Sequence, residues 1–68
     1  MTMPAERTRA VLQTREFLLQ LVDTSLTPAL PDSVRREAFR LLRHYPHEGD
    51  MRLAHQACPG WFGPAGTP

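Results

Sequence analysis

The residues of this chain most suited to chemistry are three histidines and one cysteine in its second half. They form two pairs, His44 with His47 and His55 with Cys58, and two residues separate the members of each pair. Both spacings occur in structural zinc sites, where imidazole and thiolate are preferred ligands. Such sites usually contain two or more cysteines, however, and this chain has only one. Zinc held by these four residues is therefore the weaker alternative, and we expect no resident metal and no cofactor.

A catalytic role for the same segment needs groups that the sequence does not supply. His55 and Cys58 lie one helical turn apart, but a cysteine nucleophile also needs an oriented base and oxyanion donors. Glu48 and Asp50 flank Gly49 in a polar stretch, where carboxylates more often cap helices than act as an acid/base pair. The sequence has no glycine-rich loop for phosphate either. We predict that the protein is not an enzyme and has no catalytic residues.

Three arginines and a phenylalanine form the main candidate binding surface. Arg36, Arg40 and Arg43 follow an i, i+4, i+7 row on one side of a helix, and Phe39 lies beside that row. Arginine and aromatic side chains often supply the energetic centre of a protein interface, and guanidinium groups pair with carboxylates. The alternatives are a solvated face and a Phe39 that leans into the edge of the core. We predict that these four residues bind an acidic protein surface, with Trp61 as a further aromatic anchor.

Helices must position all of these residues. Apolar residues at helical spacing and the flanking breakers predict helices over about 4–23, 32–45 and 50–57, with Asp50 capping the third. Pro31 and Pro46 mark the two ends of the second helix. The predicted fold is all-α, a single domain over residues 1–68 with a small helical hairpin, a short third helix and a Gly/Pro-rich aromatic tail over 59–68. In that tail, Trp61 and Phe62 either close the core or stay exposed.

The first helix has an apolar stripe that is broad for a hairpin. Val11, Leu18 and Leu21 lie near its centre, and Leu12 and Leu19 widen it. A shorter second helix covers only part of this stripe, so the remainder must pack against other parts of the chain or against another subunit. We therefore predict self-association, with a homodimer as the simplest form.

Length and charge narrow the classes of partner. A core of 68 residues seldom supplies more than roughly 3–5 kcal/mol of stability, and a single cysteine excludes an intramolecular disulfide. All eight basic residues are arginine, and Lys, Asn and Ile are absent, which indicates a GC-rich genome rather than selection for phosphate binding. The net charge is +1 overall and +2 over residues 32–45, where four arginines face two carboxylates. Nucleic acid is therefore not the expected partner.

A weak helix–turn–helix DNA-binding protein is the alternative function. For that function, the polar residues of the third helix that reach base edges are Arg52, His55 and Gln56. The apolar run over residues 17–22 is far shorter than the roughly 20 residues of a membrane span, and no signal-peptide cleavage site follows it. We expect a cytoplasmic protein without a membrane partner.

Segments over nearly the whole chain are similar to those of a known protein family. They are Pro4, residues 6–10, 14–18, 34–35 and 41–46, Pro59, and residues 62–63. In these segments the chain resembles the BPSL-type family of short proteobacterial hypothetical proteins of unknown function. The resemblance implies no activity, ligand or partner, because none of the segments is a catalytic motif. The favoured function is a small protein-interaction module or regulatory subunit that binds another protein, with homodimer formation as one form of it.

Overall fold

A computed structural model of the protein describes residues 2–65. The described part of the chain contains three helices, α1 (Pro4–Val22), α2 (Asp32–Leu42) and α3 (Glu48–Ala57), and no strand. The predicted all-α class is confirmed, and α1 and α2 contact each other as the predicted helical hairpin. The end of the predicted tail, residues 66–68, lies outside the described residues. No helix within residues 2–65 is both long enough and apolar enough to cross a membrane.

The chain divides into two compact units, which share α1. One unit comprises Met1–Gln13 and Pro46–Pro68, and the other is Thr14–Tyr45. We call them the terminal unit and the hairpin unit. Each unit contains a few buried side chains of its own, so each is described separately.

The hairpin unit is built from the second half of α1, the connection over residues 23–31, and α2. Leu18 and Ala38 are its buried apolar side chains. Asp23 begins the connection by accepting hydrogen bonds from the Ser25 hydroxyl at 2.6 Å and the Ser25 amide at 2.9 Å. These bonds lower the pKa of the Asp23 carboxyl below its ordinary value. The charged carboxylate therefore orders the turn that reverses the chain.

The two ends of α2 follow from the prolines that flank it. Pro31 precedes the helix, and its carbonyl accepts the Arg35 amide at 3.2 Å. The helix ends at Leu42, three residues before the predicted end at residue 45, and Pro46 disfavours a helical conformation in Tyr45. The amides of His44 and Tyr45 donate to carbonyls three residues back, at 3.4 and 3.3 Å. The last turn is therefore tightened rather than continued as α-helix.

The terminal unit contains α3, which begins at Glu48 and is capped by His47. His47 Nδ1 accepts the Gly49 amide at 3.1 Å, and the Asp50 carboxylate accepts the His47 amide at 3.0 Å. This reciprocal pair is a capping box. The prediction that Asp50 is the cap is wrong, because an imidazole takes the cap position and Asp50 completes the box from inside the helix. Met51, on the next turn, is the buried apolar side chain of α3.

Candidate protein-interaction site

An open groove of about 500 Å³ lies along α2 in the hairpin unit. It brings together the four residues that the sequence singles out on α2 and three of their neighbours. The lining residues are Val22, Asp32, Arg35, Arg36, Phe39, Arg40 and Arg43. We call it the arginine groove. Six of the seven belong to α2 or its C-cap, because the helical repeat returns these positions to one side of the axis.

Phe39 is the apolar element of the arginine groove. Its side chain is 62% exposed, so it does not close the edge of the core. Burying apolar surface stabilises a protein or a complex by roughly 25 cal/mol per Å², and an exposed Phe39 does not contribute this free energy. An exposed phenylalanine among guanidinium groups is thus the feature of this surface with most to gain from a partner.

The four arginines of the groove have different surroundings. Together with Asp32 they give the lining a net charge of +3. Within the described residues, the guanidinium groups of Arg36 and Arg43 make no hydrogen bond or ion pair, and both side chains are exposed. They are therefore the two cations of the groove best able to pair with a ligand.

Arg40 is already paired with Glu37 on the same helix. The Nε atom of Arg40 donates to both carboxylate oxygens of Glu37, at 3.1 and 3.2 Å, and Nη2 makes a further contact with Oε1. The hydrogen bond from Arg40 lowers the pKa of the Glu37 carboxyl, and Glu37 in turn raises the pKa of Arg40. Both groups face water, so the pair contributes little stability. A ligand carboxylate would have to share Arg40 with Glu37.

Arg35 differs from the other three arginines because its guanidinium holds the hairpin together. Nη1 donates to the Leu21 carbonyl at 2.9 Å and to the Thr27 hydroxyl at 3.1 Å, while Nη2 donates to the Thr27 carbonyl at 2.7 Å. A cation at a helix C-terminus also complements the helix dipole. The sequence analysis did not predict this role. One signal for it was present, because the last turn of α1 contains no basic residue of its own and an arginine from elsewhere could interact with that end of the helix.

Trp61, the fifth predicted partner-binding residue, belongs to the terminal unit and not to the arginine groove. The residue is 65% exposed, and the Arg7 guanidinium carbon lies 5.0 Å from the ring centroid, a cation–π distance. Arg7 Nε also donates to the Trp61 carbonyl at 2.7 Å, and Nη1 donates to the Thr2 carbonyl at 2.7 Å. Trp61 is therefore fixed at its backbone while the residue as a whole stays exposed.

Two further contacts attach the tail to α1, and the sequence did not suggest them. Thr8 is 2% exposed, and its hydroxyl donates to the Gly63 carbonyl at 2.9 Å, while the Gly63 amide donates to the Pro4 carbonyl at 2.9 Å. A Cβ atom at position 63 would lie 2.6 Å from the Cα atom of Ala5. Only glycine can approach the helix this closely without displacing its backbone. We call this contact the tail clasp.

The histidines and the cysteine of the zinc alternative are not assembled into a metal site. Among residues 2–65, no group of three or more His, Cys, Asp or Glu side chains is placed to hold a metal ion. His47 caps α3, and His55 Nδ1 lies 2.8 Å from the Phe62 carbonyl, to which it donates as the protonated nitrogen. Cys58 is an exposed free thiol. Two of the three histidines thus have structural partners within the terminal unit.

The polar residues proposed for base recognition on α3 also have other partners. Arg52 donates to the Glu48 carboxylate at 2.8 Å, one turn earlier on the same helix. His55 is half-buried and bonded to the tail. Gln56 is the exposed member of the three. These contacts leave α3 with little that could recognise base edges.

Comparison with known proteins finds no matching family model, no matching curated protein and no matching solved structure.

Proposed function

We propose that the protein is a small interaction module, acting alone or as a regulatory subunit, which binds an acidic segment of another protein in the arginine groove. The observation that carries the proposal is the exposure of Phe39 between Arg36 and Arg43, which have no partner in the described chain. A surface that only has to stay hydrated gains nothing from a phenylalanine. A surface that binds gains from burying the ring and from pairing the cations around it.

The charges of the groove define the chemistry of the segment. Arg36 and Arg43 are separated by two turns of α2, which is roughly 10 Å along the axis at 1.5 Å per residue. A fitting segment has carboxylates about that far apart and a large apolar side chain between them. The carboxylates pair with the two arginines while the apolar side chain covers Phe39. Such a segment can be helical or extended, since both conformations can present side chains at this separation.

The size of the charge favours a protein over a nucleic acid. Each neutralised phosphate contributes to DNA affinity, and a site that neutralises few phosphates binds weakly and loses affinity steeply as salt is added. Glu37 and Asp32 lie on or beside the groove, and both carboxylates would face a phosphate backbone unfavourably. An acidic segment with an apolar centre also uses Phe39, whereas a duplex backbone does not.

Selection from a random peptide library displayed on phage, with the intact protein as bait, tests the proposal and needs no identified partner. We expect the enriched peptides to contain Asp or Glu on both sides of a large apolar residue. Their binding should weaken as salt is raised, because the cations of the groove are exposed to solvent.

Variants of the bait then locate the site. We expect Phe39→Ala, and separately the double variant Arg36→Glu with Arg43→Glu, to lose the selected peptides. Phe17→Ala is the matched control, since Phe17 is 57% exposed and does not line the arginine groove. The proposal fails if selection yields no acidic peptides, or if the selected peptides bind the groove variants as well as they bind the wild type.

A further inference from the structure

A second groove lies on the hairpin unit and is mostly apolar. It has a volume of about 400 Å³. Its lining residues are Leu18, Leu21, Ser33, Val34, Glu37, Ala38 and Leu41. We call it the leucine groove. Val34 and Leu41 are 40% and 43% exposed, so the apolar wall that α2 provides is only partly covered by α1.

The leucine groove and the arginine groove lie on different sides of α2. Val34 and Leu41 are seven residues apart and share one side of the helix, whereas Phe39 follows Val34 by five residues, which is roughly 140° around the axis. Neither Val34 nor Leu41 lines the arginine groove, and neither Phe39 nor Arg43 lines the leucine groove. A ligand in one groove therefore leaves the other accessible.

An exposed aromatic side chain flanks the leucine groove. Phe17 is 57% exposed and precedes Leu21 by one helical turn, so the two lie next to each other on α1. Leu21 lines the groove and Phe17 does not. The hairpin unit thus presents an apolar projection and an apolar recess on neighbouring parts of one surface.

A projection beside a recess makes this surface complementary to itself. In a two-fold symmetric dimer the same patch occurs on both subunits, so the projection of each subunit can fill the recess of the other. We infer that a second copy of this chain covers the leucine groove, with Phe17 of each copy inserted into the groove of the other. Glu37, on the groove lining, and its partner Arg40 form a polar edge, as is usual at the rim of an interface.

The small number of buried residues supports the same conclusion. Among residues 2–65 the buried apolar side chains are Leu18, Ala38 and Met51, and two of them belong to the hairpin unit. A chain of this size often needs a disulfide, a metal or a partner subunit for stability. The single cysteine excludes an internal disulfide. Burial of Phe17, Val34 and Leu41 against a second copy would enlarge the core of the hairpin unit on both subunits.

Sedimentation equilibrium of the full-length protein tests the inference. We expect a monomer–dimer equilibrium at micromolar concentration for the wild type. Phe17→Ala should weaken the dimer about a hundredfold, because a buried aromatic anchor is worth roughly tenfold in affinity or more and the symmetric interface loses it twice. Phe39→Ala is the matched control, since it removes a similarly exposed phenylalanine from the same unit, and it should leave the dimer unchanged.

A variant of the groove gives an independent measurement. Val34→Glu places a charge in the apolar recess and should also give a monomer. In a mixture of Phe17→Ala and Val34→Glu, one intact projection meets one intact recess, so we expect more dimer than in either variant alone. Circular dichroism checks that both variants keep their helices.

Three results would overturn the inference. They are a wild type that stays monomeric throughout the concentration range, a Phe17→Ala variant that dimerises as well as the wild type, and a mixture that remains as monomeric as its components. Peptide binding in the arginine groove separates this inference from the proposed function. A monomeric Phe17→Ala variant that still binds acidic peptides supports both. A wild type that dimerises but selects no acidic peptides contradicts only the proposed function.

Discussion

At the scale of single residues, neighbouring arginines of α2 are set apart by their partners and not by their type. Arg35 is bonded to the end of α1 and to the connection, Arg40 is paired with Glu37, and Arg36 and Arg43 face solvent without a partner in the described chain. The arginines of this row therefore differ in role, because some are bonded within the protein and others are free to bind a ligand. Substitution of Arg36 and Arg43 is expected to affect binding, whereas substitution of Arg35 is expected to affect folding.

Phe39→Ala should leave the folding stability nearly unchanged. The ring is 62% exposed, and surface substitutions usually change the free energy of unfolding by less than about 0.5 kcal/mol. Alanine also has the higher helix propensity. Urea unfolding followed by circular dichroism measures the effect. A loss of about 3–5 kcal/mol is typical of a phenylalanine in the core, and such a loss would contradict the placement of Phe39 in the arginine groove.

Glu37 should titrate below the ordinary range of a glutamate carboxyl. The hydrogen bond from Arg40 lowers its pKa in the folded protein, so the pair is complete above that ordinary range and is lost as the pH falls through the lowered value. Carbon-detected NMR of the Glu37 carboxyl gives the titration midpoint. In Arg40→Gln the midpoint should rise towards the ordinary value for glutamate, because the hydrogen bond that lowers it is lost. Equal midpoints in the two proteins would show that the pair does not persist in solution.

At the scale of elements, local sequence patterns determine the helices, whereas the contacts that attach one element to another join residues far apart in the sequence. Periodic apolar residues and the flanking helix breakers predict all three helices, because both signals are local and lie within or next to the helix itself. The cap of α3 was predicted wrongly, since cap preferences favour Asp50 and the structure uses His47. The tail clasp joins Thr8 to Gly63, 55 residues apart, and no local pattern contains that information.

Thr8→Val should loosen the tail without altering the hairpin unit. Valine has a similar shape but no hydroxyl, so the Gly63 carbonyl would lose a hydrogen bond in a buried position, which costs about 1–3 kcal/mol. We expect faster amide hydrogen exchange at Gly63, whose amide donates to Pro4, and unchanged exchange in α2. Thr24→Val, on the exposed connection, is the matched control and should change neither.

Gly63→Ala should loosen the same contact by a different route. Its Cβ would approach the backbone of Ala5 to 2.6 Å, a distance that forces the tail away from the helix. Amide exchange at Trp61 and Phe62 should therefore rise as well. Exchange rates equal to those of the wild type in both Thr8→Val and Gly63→Ala would contradict the tail clasp.

At the scale of the whole molecule, the fold class and the arginine groove could be predicted from the sequence, whereas the contacts between elements could not. The arginine row and Phe39 could be predicted because all four residues lie on α2 or at its C-cap, and the helical repeat alone places them side by side. The joining of α1 to α2 through Arg35 could not, because it depends on where the connection places Thr27. The prediction that Leu12 and Leu19 widen a self-association surface stays a prediction, with Leu12 half-buried and Leu19 36% exposed. The leucine groove places the inferred interface at Phe17, Val34 and Leu41.

The most direct measurement of the central claim is an NMR titration of the isotopically labelled protein with the acidic peptides obtained by selection. If the arginine groove is the binding site, the largest shifts will occur at the amides and guanidinium Nε–H groups of Arg36 and Arg43 and at the ring of Phe39. Trp61 and the α3 residues should change little, and Phe39→Ala should abolish the shifts at equal peptide concentration. Shifts centred on Trp61 or on Val34 and Leu41, with the α2 arginines unperturbed, would contradict binding in the arginine groove.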